Sequence, residues 1–169
     1  MISPELLRRY PFFAGLTHDQ LVTLAKAAEE ISVETGHVFF NEGDKLNHFY
    51  LLTKGSVSMG IPVPDRDKKQ TVSDQLLGEI KTKDVSVSTV GTGDVFAWSA
   101  LIPPHTATAG GTALTSCQVV KFDAEKLRTL FEEQSDFGYL MILKAGQIVR
   151  DRLRDLRIES LAATITGSS

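Results

Sequence analysis

The 169-residue chain has one cysteine, Cys117, and one tryptophan, Trp98. A lone thiol excludes an internal disulfide, a thiolate-bound iron–sulfur cluster and a multi-cysteine zinc site. No run reaches 18 consecutive apolar residues, and the opening Met1-Ile-Ser-Pro-Glu-Leu-Leu-Arg-Arg-Tyr10 lacks the apolar stretch of a secretory signal, so the expectation is a soluble, cytoplasmic protein. An excess of positive charge is missing as well. Lysine and arginine total 18 against 21 acids, a formal net charge of -3, which excludes holding nucleic acid by a blanket positive field. The chain has no Gly-x-Ser-x-Gly elbow, no phosphate loop and no His-Glu-x-x-His pair, and the expectation is a protein without catalysis, cofactor or metal. His18, His37 and His48 are scattered without ligand spacing. No arginine lies between Arg66 and Arg128.

What is present is enough for one ordinary domain, with 42% hydrophobic and 23% charged residues. Ser3-Pro4-Glu5 reads as a cap, a first-turn proline and a first-turn acid, and predicts a short helix to about Tyr10. Thr17 and Gln20 form a capping box, with Leu16 and Leu21 placed as a hydrophobic staple. Leu21, Leu24, Ala25 and Ala28 then share a face of a helix expected to end near Glu30. From Ile31 to Phe122 the pattern changes to short β-rich runs: His37 to Phe40, Phe49 to Thr53, Ser56 to Ile61, Val85 to Val90 and Cys117 to Phe122. Val57, Met59 and Ile61, like Val85 and Val87, alternate with small polar residues as half-buried strands do. Turns fall at Glu42-Gly43-Asp44, Lys54-Gly55 and Thr92-Gly93-Asp94. Many short strands with glycine turns predict a β jelly roll or barrel. Ile61 to Asp84, with its charged Asp65 to Lys69 run, reads as a long exposed excursion.

Helix returns at the end. Asp123 caps a segment bearing Leu127, Leu130 and Phe131, and Ser135 caps a longer one reaching about Ser160, before a polar tail. On the longer helix Tyr139, Ile142, Gly146, Val149, Leu153 and Leu156 follow heptad spacing, while Phe137, Leu140, Met141 and Ile148 make a second apolar row. Two readings stand: the row from Tyr139 to Leu156 is the seam for a partner helix and the other row faces the domain, or the two form a single wide stripe facing the core. Arg150, Arg152, Arg154 and Arg157 among Asp151, Asp155 and Glu159 read as a solvated face rather than a nucleic-acid contact.

Layout and turn residues together resemble the cyclic nucleotide-binding domain of the catabolite-activator and fumarate-nitrate regulator superfamily. The resemblance rests on Pro11-Phe-Phe-Ala-Gly-Leu16, Phe40-Asn-Glu-Gly-Asp44, Phe49-Tyr-Leu-Leu-Thr-Lys-Gly-Ser-Val57, Gly93-Asp-Val-Phe96 and Ala113-Leu-Thr-Ser-Cys-Gln-Val119. It implies a mainly β fold with flanking helices over residues 1–160: N-terminal helices (1–30), an eight-stranded jelly roll (31–122) and C-terminal helices (123–160), the last pairing with its twin in a homodimer. Residues 161–169 are a flexible tail in this reading. Only about a dozen residues follow Arg157, too few for a helix-turn-helix, so direct DNA binding is expected only of a longer chain.

The resemblance also implies a phosphate-binding cassette, Phe-Gly-Glu followed by an apolar turn and then Arg-Ser/Thr-Ala. Glycine admits backbone N–H groups to a cyclic phosphate, arginine supplies a forked charge, and glutamate takes the ribose hydroxyl. Here the stretch runs Phe96-Ala97-Trp98-Ser99 to His105-Thr106-Ala107-Thr108: Ala97 stands in the glycine slot, Trp98 in the glutamate slot and, with Ala113-Leu114 and Cys117 anchored on the next strand, Ala107 in the arginine slot, a shifted alignment offering His105 instead. Burying a phosphate without a charge partner is costly, so conventional cyclic AMP or cyclic GMP binding is not expected. Trp98, with the hydroxyls of Ser99, Thr106 and Thr108 and the His105 ring, either lines a pocket for a small neutral or aromatic ligand or plugs a dead one. His105 reads as a loop histidine rather than a haem ligand, and Cys117 as an inert core thiol.

Overall fold

Both N-terminal start signals work locally as the sequence predicts. In the computed structural model, which describes residues 1–67, 69, 71–78 and 81–167, the Ser3 hydroxyl accepts the Glu5 N–H at the head of α1 (Pro4–Arg8). At the head of α2 (His18–Lys26), Thr17 Oγ1 accepts the Gln20 N–H (3.2 Å) and Gln20 Oε1 accepts the Thr17 N–H (2.9 Å). Such a cap is worth about 1 kcal/mol. The helix stops four residues earlier than expected, because β1 (Ala28–Val33) pairs residue for residue with β8 (Cys117–Asp123). A six-rung ladder outweighs the helix preference of Ala28-Glu29-Glu30, and Ala28 is buried as a strand residue.

The remaining strands are β2 (Val38–Phe40), β3 (His48–Lys54), β4 (Val57–Pro64), β5 (Thr82–Val90), β6 (Val95–Phe96) and β7 (Gly110–Ala113). They form two antiparallel four-stranded sheets, ordered β1-β8-β3-β6 and β2-β7-β4-β5, the jelly roll that the turn pattern implies. Gly43, Gly55 and Gly93 hold the positive φ that their turns need. At Gly55 a side chain is excluded outright, since a Cβ would lie 2.6 Å from the Ser116 carbonyl oxygen and 2.8 Å from Cys117 Sγ. Strand β7 carries no apolar run and was not legible in the sequence. Its Gly111 leaves room for the Phe40 ring, which would meet a Cβ at 2.9 Å.

The excursion is shorter than expected, for β4 runs to Pro64 and β5 begins at Thr82. The Asp65 N–H donates to the Lys81 carbonyl (2.9 Å). In an antiparallel pair this turns the alternate positions 62 and 64 away from β5. β7 pairs β4 only from Val57 to Gly60, so neither Pro62 nor Pro64 costs a ladder bond. A short helix, α3 (Val72–Leu77), capped by Thr71, lies within the remainder, while Lys68, Gln70, Glu79 and Ile80 fall outside the described residues. Asp65 corrects the picture of a fully solvated charge run. It is buried, accepting the Asp67 N–H and lying 4.0 Å from Lys83 Nζ. Val85 on the outer strand β5 is exposed rather than half-buried.

The chain divides into two compact units, Met1–Glu125 and Lys126–Ser169. In the first, Phe49 stacks on Phe122 (4.6 Å between centroids, 5° between planes), and Phe13 reaches Phe122 at 5.7 Å. All three rings are buried, which ties the N-terminal helical segment to β3 and β8. The second unit holds most of α4 (Ala124–Glu133) and all of α5 (Ser135–Thr166). Phe131 meets Phe137 edge-on at 4.9 Å, and a Cβ on Gly138 would lie 2.8 Å from that of Phe131, so the turn between the helices requires glycine there. Ser135 is the first helical residue and not the cap, which falls on Gln134 without a side-chain bond. The expected frayed tail is helical through Thr166. Ala162 and Ala163 favour helix, and the Thr164 and Thr166 hydroxyls donate to the carbonyls of Ser160 and Ala162. The 32 residues of α5 span about 48 Å.

Candidate functional site

The candidate cassette begins where β6 ends. Phe96 is buried, and Ala97 turns the chain with φ 59° and ψ 32°, the left-handed conformation that glycine adopts freely and alanine at a cost of about 1–2 kcal/mol. A 3-10 turn (Trp98–Leu101) follows, held by the Ala100 N–H on the Ala97 carbonyl at 3.0 Å. Ser99, Ala100 and Leu101 are buried; Trp98 is half-buried. Pro103–Pro104 is a cis peptide, and His105 takes φ 61°.

Backbone bonds then stitch the second part of the stretch to the turn after β2. The Leu46 N–H donates to the His105 carbonyl (2.7 Å), the Ala107 N–H to the Asp44 carbonyl (2.8 Å), and the Gly43 N–H to the Ala107 carbonyl (2.9 Å). Ala107 is buried and tied by its backbone to the turn that carries Glu42 and Asp44, both of which are exposed. The Asp44 carboxylate accepts the Asn41 N–H at 2.8 Å, which fixes that turn. Of the residues expected at the site, Phe96, Ala97, Trp98 and Ser99 lie together on one turn. His105, Thr106 and Ala107 lie together on the stitched stretch, and Thr108 is exposed.

Sequence reasoning missed the rings behind Phe96. Phe96 stacks on Tyr50 (5.0 Å, 17°), meets Phe39 edge-on (5.1 Å) and lies 6.3 Å from Phe40; Phe39 and Phe40 reach Tyr50 at 5.2 and 6.4 Å. Successive strand residues normally point to opposite faces, yet a register shift between Val38 and Phe40 lets both rings join the cluster. Alternation alone would have assigned only one of them to the interior. Burial pushes the Tyr50 phenol above its usual pKa of 10.0. Two cross-strand steps along, Lys121 Nζ pairs with the Glu29 carboxylate at 2.6 Å, holding that carboxyl below its usual value. Burial, and then the neighbouring Lys121 charge, lower the His48 pKa. Cys117 is buried with its Sγ 3.4 Å from the Ser56 carbonyl. Among the described residues no group of three His, Cys, Asp or Glu could hold a metal ion, and no helix is long and apolar enough to cross a membrane.

The family model for the cyclic nucleotide-binding domain matches residues 30–134, more than half of the chain. The chain belongs to the cyclic nucleotide-binding domain family. A candidate cyclic nucleotide-binding protein from Geobacter metallireducens is 32% identical, with 90% of this chain and 99% of that one covered and a TM-score of 0.72. The N-terminal domain of a transcriptional regulator from Streptomyces coelicolor is 22% identical, covering 88% and 92%, with a TM-score of 0.60. The regulatory subunit of a cAMP-independent protein kinase A from Trypanosoma brucei, solved as a triple mutant bound to cAMP, is 22% identical over 71% of this chain and 38% of its own, with a TM-score of 0.55. A comparison with the curated proteins finds no match. This cyclic nucleotide-binding domain thus has a regulator domain and a regulatory subunit among its structural neighbours, and the jelly roll with flanking helices is the family's fold.

Proposed function

We propose that this domain is a non-catalytic, cytoplasmic regulatory module that does not take cyclic AMP or cyclic GMP in the conventional way and works as a homodimer through α5. The carrying observation is the set of replacements at the cassette. Ala97 keeps the left-handed turn of the glycine slot, but the slots that recognise ribose and phosphate hold Trp98 and Ala107, and the Ala107 side chain is buried and carries no charge. A cyclic phosphate there would find no guanidinium within this stretch, since arginine is absent from 67 to 127. The rings of Phe39, Phe40, Tyr50 and Phe96, in mutual contact next to Ala97, favour a plugged interior over an open one. The trypanosomal relative supports the same logic: it is cAMP-independent, and the mutant bound to cAMP carries an introduced arginine among its three substitutions. The buried free thiol of Cys117 suits a reducing compartment.

The output is assigned to α5, whose row from Tyr139 to Leu156 stays exposed within the chain while Phe137, Met141 and Ala145 are buried. Trp98 is the residue through which a small neutral or aromatic ligand would act if the site opens. The likeness to a transcriptional regulator's N-terminal domain favours one second reading, the sensor half of such a regulator acting within a longer protein. Calorimetric titration with cyclic AMP and cyclic GMP at moderate salt tests the main reading. No heat and no thermal shift are expected; binding at micromolar affinity or tighter would restore the conventional sensor.

A further inference from the structure

The two sheets of the roll differ on their outer faces. In the first, Tyr50 stacks on Phe40 of the opposite sheet, so its neighbour Phe49 points outward, where it stacks on Phe122 beneath Phe13. In the second, Val57, Val90 and Ala113 turn inward and are buried, which puts Ser58 and Thr112 on the outer face. The next outward rung is Gly110, Gly60 and Ser86, so nothing larger than a serine side chain stands across three strands. This bare rung lies in a groove of about 360 Å³. Glycine inside a strand weakens it and marks places where a ligand or another backbone comes close. A Cβ on Gly110 would come no nearer than 3.4 Å to another atom, so the fold itself does not demand glycine there. The charged residues lining the groove are Glu42, in the turn after β2, and Asp84, on β5. Both are exposed acids, and neither has an ion-pair partner among the described residues. Lys83 lies on the opposite face of β5, within 4.0 Å of Asp65 and 3.6 Å of Asp67.

The groove runs out to a free strand edge. Because the Asp65 N–H bonds the Lys81 carbonyl, the alternate residues Thr82, Asp84 and Ser86 turn their backbone N–H and C=O groups away from β4. β5 is the last strand of its sheet, so these groups face outward, and among the described residues none of them meets a protein partner. The register shift after Ser86 ends the run, which limits a pairing segment to about five residues. We propose that the β5 edge and its groove take a short, extended, basic segment of a partner protein as a fifth strand, with a lysine or arginine laid along the bare rung. Backbone bonds to Thr82, Asp84 and Ser86 would hold the segment, and its side chains opposite Asp84 and Ser86 would share the groove's face. A cation there completes a cross-strand pair with Asp84 and points toward Glu42. Charge selects the occupant: a second copy of β5 would bring another Asp84 to this face, its Lys83 lying on the other one. This inference is independent of the reading of α5.

Fluorescence anisotropy with two labelled hexapeptides tests the proposal, one alternating arginine with valine and the other glutamate with valine. The arginine peptide should bind at least tenfold more tightly, and amide exchange should slow at Thr82, Asp84 and Ser86 when it does. Asp84→Ala should weaken binding about fivefold by removing the charge. Asp84→Pro should weaken it further, since proline also removes an outward N–H while sparing the bonds to β4. Unchanged melting of both variants shows that they fold, and Glu42→Ala, in an exposed turn, gives a second measure of the charge with an expected loss of about threefold. Binding of neither peptide, equal binding of both, or binding that Asp84→Pro leaves unchanged overturns the proposal. Self-association that Asp84→Pro abolishes, without peptide binding, overturns it in favour of a second copy at the edge.

Discussion

The jelly roll and the helix α5 treat their apolar residues in opposite ways. In the roll, large apolar side chains find cover from within: Phe49, Leu51, Leu52, Phe96 and Phe122 are all buried. In α5 the cover is partial, with Phe137, Met141 and Ala145 buried and Tyr139, Ile142, Val149, Leu153 and Leu156 in the open. A β face is covered by the opposite sheet and by the N-terminal segment, whereas a 48 Å helix presents far more apolar length than one chain has used. The difference teaches which part of the molecule covers its own apolar side chains and which part leaves a row of them exposed.

The comparison predicts that side chains of similar size behave very differently in the two regions. Phe122→Ala removes a ring stacked on Phe49 and touching Phe13, and should cost about 3–5 kcal/mol, read as a lower midpoint in urea unfolding. A loss below about 1 kcal/mol would mean that the roll's core is not closed around that ring. Leu153→Arg should change the unfolding of the dilute monomer by less than about 0.5 kcal/mol, since half of the side chain is exposed, yet weaken association about tenfold or more in sedimentation. A large loss of monomer stability would erase the contrast between the two regions.

Smaller effects sharpen the account of the roll. Ala97→Gly relieves a left-handed alanine and should stabilise the domain by about 0.5–1 kcal/mol, the relief being offset in part by the freedom glycine gains when unfolded. No gain would show that the turn relaxes in solution. The smallest effect concerns His48, whose protonated form is disfavoured in the fold by burial and by Lys121. A base with its folded pKa lowered below 6.5 leaves stability intact above that pH and costs stability as pH falls from there through the folded value. The melting temperature should therefore slope downward from pH 7 to 5, and His48→Gln should flatten that slope.

Much of the fold was legible because its signals are local. The Ser3 cap, the Thr17–Gln20 capping box, the glycine turns and the strands around Phe49 to Thr53 and Cys117 to Phe122 each follow from a few neighbouring residues. Strand β7 was not legible, because Gly110-Gly111-Thr112-Ala113 carries no apolar pattern and is a strand only through pairing with β2 and β4. Ala28 to Glu30 read as helix for the complementary reason, their propensity being overruled by the partner strand β8. At the candidate site the sequence showed which chemical groups are absent, since a missing arginine needs no coordinates. It did not show that Phe39, Phe40 and Tyr50 stand behind Phe96, because the register shift that brings Phe39 and Phe40 to one side belongs to the sheet.

The sequence by itself therefore determined the succession of N-terminal helices, a β-rich middle and C-terminal helices, the cap and turn chemistry and the absence of arginine from 67 to 127, all of which are read from residues near one another in the chain. Only the tertiary structure decided which rings fill the interior, that Asp65 is buried and that β7 exists. Those depend on pairing and burial between segments far apart in sequence, and no local pattern encodes which distant strand or side chain will supply the other half of a contact.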